Sequence, residues 1–223
     1  WRAGFSVIRS FGPKMALGEK MIIATLAVSV LAFLLAVLVK PRKGWLTALI
    51  CLAVPLAAIA HGKNISKTAK ALPFIHDITT DTQNPPTFGA IILEQRGENS
   101  NPVTYIGKTV PRSDELVSAA QVRGYPDIRS IILDQSPESA FEKALVAAKS
   151  MGWAVAEISR ENGAIDATAT TFWFGFKDDI AIRITTSAGG GSVVDVRSVS
   201  RVGGSDIGAN ANRIRAFTEK MKN

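Results

Sequence analysis

Residues 21–60 carry two long apolar runs, Met21–Val39 and Trp45–Ala60, on either side of the basic turn Lys40-Pro41-Arg42-Lys43-Gly44. The first run has 19 residues and no charge. At about 1.5 Å rise per residue it reaches across a hydrocarbon core of about 30 Å. The second has 16 residues, short for a full span, but Gly44 and Trp45 extend it into the interfacial layer, where Trp is enriched. The pattern predicts a transmembrane helical hairpin. Residues 1–20 mix Arg2, Arg9, Lys14 and Lys20 with Phe5, Val7, Ile8, Phe11 and Leu17, and Gly12-Pro13 is expected to break the segment. They read either as an interfacial amphipathic stretch or as a plain juxtamembrane tail. Residues 61–73 read as a polar, Lys-spaced stalk.

Beyond the stalk the pattern shortens. Pro73-Phe74-Ile75-His76-Asp77-Ile78-Thr79-Thr80 and Asn84-Pro85-Pro86-Thr87-Phe88 favour extended chain and turns. Residues 94–113 read as loop, 114–123 as a short helix, and Tyr125-Pro126-Asp127 as a turn before a strand at Ile128–Leu133. Ser136-Pro137-Glu138 supplies an N-cap, an N1 proline and a first-turn acid. Phe141, Ala144, Leu145 and Ala148 then share one helical face, and Gly152 closes the helix. Strands are predicted at about 153–160, 164–174, 179–186 and 193–201, with Glu161-Asn162-Gly163 as a hairpin turn. Ser205-Asp206 opens a last helix with Ile207, Ala211, Ile214, Phe217 and Met221 on one stripe. The predicted fold is α+β: a two-helix transmembrane hairpin (21–60), then an antiparallel β-meander domain (74–223) with helices on one sheet face.

The last hairpin predicts its own register. Ile180, Ile182 and Ile184 alternate with Asp179, Ala181, Arg183 and Thr185, while Val194 and Val196 alternate with Val193, Asp195 and Arg197. With Ala188-Gly189-Gly190 as the loop, Ile182 faces Val196, Ile184 faces Val194, and Arg183 stands opposite Asp195. A slip of one residue would turn charges into the core.

Charge is divided along the chain. Residues 1–72 hold ten Lys/Arg against one acid, Glu19, whereas residues 73–223 hold sixteen against eighteen. The excess basicity flanks the apolar runs, where it serves topology and anionic headgroups. The remainder is net acidic and lacks the basic footprint of a nucleic-acid binder. Positive charge in the short turn and in the tails pulls the topology in opposite directions, so charge leaves the side of the domain open. The one cysteine, Cys51, lies in the second run and leaves no thiol chemistry to the domain. The chain begins with Trp1, which a cleaved signal or a missing upstream segment would explain alike.

The polar residues of the last strands admit two readings. Asp178-Asp179, Arg183, Asp195, Arg197, Arg201 and Asp206 form either a binding face of paired Arg and Asp or a cross-strand ladder on a solvated surface. Asp178 and Asp179 point to opposite faces of a strand and make a poor dyad. Ser205-Asp206 after Gly203-Gly204 reads as an N-cap, since Asp206 would repel an anion there. Gly189-Gly190-Gly191 is a turn with no helix after it. His76 beside Asp77 is either a polar tether or a base, and one histidine cannot build a zinc site. Phe172-Trp173-Phe174-Gly175-Phe176 reads as an aromatic strand, buried on both sides or offering one aromatic face to a lipid, pigment or partner.

Several stretches resemble the domain-of-unknown-function family 1499. They are His76-Asp77-Ile78-Thr79-Thr80, Tyr125-Pro126-Asp127, Gly152-Trp153, Ile165-Asp166-Ala167-Thr168-Ala169 and Trp173-Phe174-Gly175-Phe176-Lys177-Asp178-Asp179. The resemblance continues in Ile182-Arg183-Ile184, the run Val194–Gly203, Ser205–Ala211 and Arg213-Ile214, covering about residues 74–218. Ala164-Ile165-Asp166 stands where relatives often read Ile-Glu-Ala, which argues that this carboxylate is not chemically exacting. The family carries no activity or catalytic motif across. Its members are exported or membrane-anchored, which implies a periplasmic or lumenal domain.

The chain therefore reads first as a non-enzymatic, membrane-anchored module, an accessory or structural subunit of a membrane-protein complex. It is expected in the inner (cytoplasmic) membrane, with its domain on the periplasmic side and the bilayer and that complex as partners. The alternative is a lipid- or small-molecule-binding envelope protein built on the aromatic strand; a third reading is a hydrolase using His76 and Asp77. The binding candidates are His76, Asp77, Asp179, Arg183, Asp195, Arg197, Arg201, Asp206 and Phe174. No catalytic residue, metal, cofactor or nucleic acid is predicted.

Overall fold

The computed structural model describes residues 2–39, 44–172 and 174–223. Trp1, the basic turn at 40–43, Trp173 and the side chains of residues 2–19 lie outside this description. The chain divides into two compact units, Trp1–Ala71 and Leu72–Asn223.

The first unit is a pair of helices, α1 (Arg2–Leu38) and α2 (Trp45–Ala71), packed against each other. Their apolar windows, Lys20–Leu38 and Trp45–Ala71, have mean hydropathies of 2.8 and 1.8, and only 6% of either window is buried. Both are therefore long and apolar enough to cross a membrane, and they turn their Leu, Ile and Val outward, unlike the core helix of a soluble protein. The expected break at Gly12-Pro13 does not occur, because α1 runs through it. Proline's fixed φ is helical, and only one intrahelical donor is forgone there. The residues expected to be stalk continue α2 as helix to Ala71.

The second unit is built on an antiparallel sheet in the order β1-β6-β5-β4-β3. Its strands are β1 (Asp77–Thr79), β2 (Ile131–Leu133), β3 (Ala154–Ser159), β4 (Ala164–Thr170), β5 (Lys177–Thr186) and β6 (Ser192–Ser200). Strand β6 is the organiser. One edge pairs with β5; along the other, β1 takes residues 197–199 and β2 takes 192–194. The last hairpin has the register that the alternation demands, with Ile182 opposite Val196, Arg183 opposite Asp195 and Ile184 opposite Val194.

That register splits the sheet into two faces. Ile165, Ile180, Ile182, Ile184, Val194 and Val196 meet the apolar faces of helices α5 (Pro137–Ser150) and α6 (Ala209–Lys222), forming the main core. Ser136 caps α5 through its hydroxyl, which accepts from Ser139 N at 3.3 Å. Trp153 stacks on Phe217 with ring centroids 5.5 Å apart. The opposite face carries Asp179, Arg183, Asp195, Arg197 and the side of β1 that bears Asp77. It is covered by the segment after β1 and the short helix α3 (Ala90–Arg96), with Phe88 and Ile92 against Ala181 and Val199. Helix α4 (Val117–Gly124) completes the unit.

Three expectations are corrected. Helix α3 takes in residues 94–96, which were expected to be loop, because Ile92 and Arg96 anchor one side of this short helix on the second face. Strand β4 ends at Thr170, so Phe172, Phe174 and Phe176 stand outside any strand, exposed on the β4–β5 loop, and the expectation for Trp173 lies outside the described residues. Thr171 N donates to Phe176 O, Gly175 N to Thr171 O, and Phe176 N to the Thr171 hydroxyl, which takes the backbone out of the ladder. Helix α6 begins at Ala209 rather than at Ser205-Asp206, after Gly208 in a left-handed conformation.

The β3–β4 turn offers a check on this register. Gly163 has φ +60° and its carbonyl accepts from Ile184 N at 2.7 Å, and a Cβ there would fall against Ile184 O. Gly107 also has a positive φ, +73°, but faces open space. Gly163→Ala is expected to cost at least about 1 kcal/mol more than Gly107→Ala. Equilibrium denaturation of the two variants checks this; equal losses would count against the close approach.

Candidate functional site

The charged face of the sheet is buried, and this corrects the expectation of a solvated ladder. Asp77, Asp179, Asp195 and Arg197 are each no more than 3% exposed. Burying charge is costly unless each ion is paired and its remaining donors are met, and the pairing here is extensive.

Arg197 grips Asp77 through two parallel bonds, Nε to Oδ1 at 2.9 Å and Nη2 to Oδ2 at 2.7 Å. The two residues meet because β1 pairs antiparallel with β6, so Asp77 lies diagonally across from Arg197 on the same face. Arg197 also donates to the carbonyls of Pro86 and Val103. Its guanidinium lies 5.3 Å from the Phe88 ring centroid and 5.6 Å from that of Tyr105, a stacked geometry that lysine could not reproduce.

Asp179 is the second hub. It accepts from Arg96 Nη1 at 2.5 Å, from Arg201 Nε and Nη2 at 2.9 and 2.8 Å, and from the Thr168 hydroxyl at 2.8 Å. The two arginines also hold cover carbonyls, Arg96 that of Asn101 and Arg201 that of Gln95. In the third group, Arg183 bridges Asp195 at 2.8 Å and Asp81 at 3.0 Å. Asp195 also accepts from Thr80 and Ser130. Asp178 points the other way, to Arg213 on α6 at 2.6 Å, as the alternation of a strand requires.

His76 stands at the edge of this network, beside Asp77. Its Nδ1 donates to Gly204 O, leaving Nε2 to accept from Lys108 Nζ, both at 3.2 Å. Burial, reinforced by the Lys108 ammonium, holds the imidazole below its ordinary value. Burial pushes Lys108 down as well, against the pull of Asp77. The two residues line a pocket with Phe74, Ile75, Asp77, Pro111 and Val117, with about 190 Å³ of space including solvent at its mouth. Its enclosed part is only about 10 Å³, against the roughly 300–1,000 Å³ of small-molecule sites. A neutral imidazole already accepting from an ammonium is a tether for the 105–117 loop, and its lone pair is not presented to a substrate.

The other candidates stand apart. Asp206 caps α6, accepting from Gly208 N at 2.9 Å and Asn210 N at 2.8 Å, and burial raises its carboxyl. Phe174 lies on the exposed β4–β5 loop. The structure thus joins Asp77 with Arg197, Asp179 with Arg201, and Arg183 with Asp195 on one face, with His76 at its border.

Sequence reasoning did not single out Arg96, Lys108, Gln121 or Glu157, and it set Asp166 aside as a carboxylate that is not chemically exacting. Gln121 exchanges two hydrogen bonds with the backbone of Thr79 and accepts from the Tyr105 hydroxyl. Asp166 lies opposite Glu157 in the β3–β4 ladder and accepts from Gly89 N at 2.6 Å. Glu157 Oε2 is buried and accepts no hydrogen bond among the described residues. Burial, with the neighbouring Glu157 and Asp179 charges, pushes the Asp166 carboxyl up to about 6.

The sequence profile of the family described as protein of unknown function (DUF1499) matches residues 77–221, and the chain belongs to that family. No curated protein matches the chain.

Two measurements probe this site. Arg197→Leu leaves Asp77 buried without its partner and is expected to cost about 3–5 kcal/mol. Adding Asp77→Asn should recover part of that loss in a denaturation double-mutant cycle; an additive cycle would contradict the pairing. The second concerns pH. Asp166 binds its proton more tightly in the folded state, so its contribution to stability declines as pH rises from its ordinary 3.8 to about 6. His76 acts in the other direction: its contribution is complete above about 6.5 and is lost as pH falls below that. Asp166→Asn keeps an acceptor for Gly89 and offers a donor to Glu157. Its melting temperature should rise relative to wild type between pH 4 and pH 7; a constant difference would sink the assignment.

Proposed function

We propose that this member of the family is a membrane-anchored interaction module, an accessory or structural subunit of a membrane-protein complex. Its helical pair serves as the anchor, and its domain stands on the periplasmic side of the inner membrane. The observation that carries the reading is the internal use of the charged face. Asp77, Asp179, Arg183, Asp195, Arg197 and Arg201 are spent on one another and on cover carbonyls, so they rigidify a body instead of lining a substrate cleft. The His76 pocket is small, and its imidazole is engaged on both nitrogens. Both helices of the first unit are long and apolar enough to cross a membrane, and export or anchoring of family members supports the periplasmic side.

The reading that made the aromatic residues a ligand wall has less support. Phe172, Phe174 and Phe176 project from a loop, whereas the Arg/Asp face is covered, so the two do not form one concave surface.

Purification of the full chain in mild detergent through a C-terminal tag, with mass spectrometry and lipid extraction, tests the proposal. Stoichiometric recovery of a membrane protein complex is expected. Recovery of the chain alone with one specific lipid would overturn it in favour of a lipid-binding role.

A further inference from the structure

The β4–β5 loop, Thr171–Phe176, is closed by hydrogen bonds from Thr171 N to Phe176 O, Gly175 N to Thr171 O and Phe176 N to the Thr171 hydroxyl. This ordered turn nevertheless holds its phenylalanines outward. Phe172 is 90% exposed, Phe174 71% and Phe176 39%, and Phe174 stacks on Phe176 with centroids 5.6 Å apart. Large apolar residues held in water by a well-bonded loop mark a contact surface rather than a packing accident.

Two neighbours extend that surface. Arg201 N donates to Lys177 O and Ser200 N to His76 O, so the loop's base and the start of β1 flank the same end of β6. There Phe74, 54% exposed, lies against Gly204, and Val202 is 41% exposed. Leu72–Phe74 are the first residues of the domain, so the chain enters the domain at the end that carries the aromatic loop. The residue before them, Ala71, is the last of α2.

We propose that this end of the domain is a second membrane contact, with Phe172, Phe174 and Phe176 inserted at the boundary between headgroups and acyl chains. The chemistry suits a bilayer surface. Aromatic rings favour the interfacial layer, and exposed Lys177 stands at the loop's base, where it meets anionic headgroups. A six-residue tip is narrow for a standard protein interface, which takes about 800 Å² from each partner, but is well shaped for shallow insertion. Because the domain shares a chain with the anchor, a bilayer is present at high effective concentration, and a modest apolar contact suffices to hold it. The inference rests on the anchored reading above and adds a contact that the anchor alone does not supply.

The test uses the full chain with Cys51→Ser, reconstituted in phosphatidylethanolamine–phosphatidylglycerol vesicles. A nitroxide is placed singly at Phe172→Cys or Phe174→Cys, with Val30→Cys in α1 and Val146→Cys at an exposed position of α5 as references. Collision rates with oxygen and with a water-soluble nickel chelate are compared. The expected result is an oxygen-to-nickel accessibility ratio at both loop positions several-fold above that at position 146 and in the direction of position 30. A lipid-like position 30 with loop positions matching 146 overturns the insertion and leaves the anchor standing. A water-like position 30 removes the anchor and the insertion together.

Discussion

The structure depends on the capture of two arginines, Arg197 on β6 and Arg201 just past its end, by Asp77 and Asp179 beneath a lid of mostly irregular chain. A sheet needs both faces covered or one face wet. Here the second face is covered, yet it offers only a small apolar patch around Phe88 and Ile92 to hold its cover. The arginines supply the rest. Each keeps one side of its guanidinium for a carboxylate and turns the other to main-chain carbonyls, Arg197 to Pro86 and Val103, Arg201 to Gln95. Backbone that a helix or strand would satisfy internally is satisfied here by side chains of the sheet beneath. The path of residues 81–103 thus follows from where the arginines stand, on β6 and just past its end.

The same network explains why the site yields structure more readily than chemistry. Planar, bidentate and stacked contacts use nearly every donor of Arg197, and a carboxylate bound this way has little left to offer a substrate. A buried network that is satisfied throughout makes one conformation strongly preferred. A rigid body is what the proposed accessory role requires.

How much of this was legible depended on whether local pattern carried the information. The register of the last hairpin was, because Ile182, Ile184, Val194 and Val196 alternate strictly with charged or small residues and only one pairing buries them together. Helix α5 was, through its cap and its 3.6-residue face. The second face was misread as wet, since Asp and Arg at alternate positions look the same whether water or another segment covers them. What decided it was Arg96, Asn101 and Val103, more than 75 residues away in the chain from their β5 and β6 partners and without any period. The aromatic loop was misread for a related reason: its composition is that of a strand, and one threonine hydroxyl turns the backbone aside.

The strand that organises the sheet, β6, is the last of its strands along the chain. Asp77 lies 120 residues ahead of Arg197, and at roughly 5–20 residues per second a ribosome takes on the order of ten seconds to travel between them. Throughout that interval the first strand, the lid and its helix have no template to lie on, and the first unit has long since emerged. Neither sheet face can close until residue 201 is available, so the domain folds after its chain is almost complete, in one late and strongly non-local step. A nascent chain of this protein therefore has its helical pair complete and its domain unfinished for most of its synthesis. Truncation by even the last two dozen residues would remove the strand end and helix on which everything upstream is assembled.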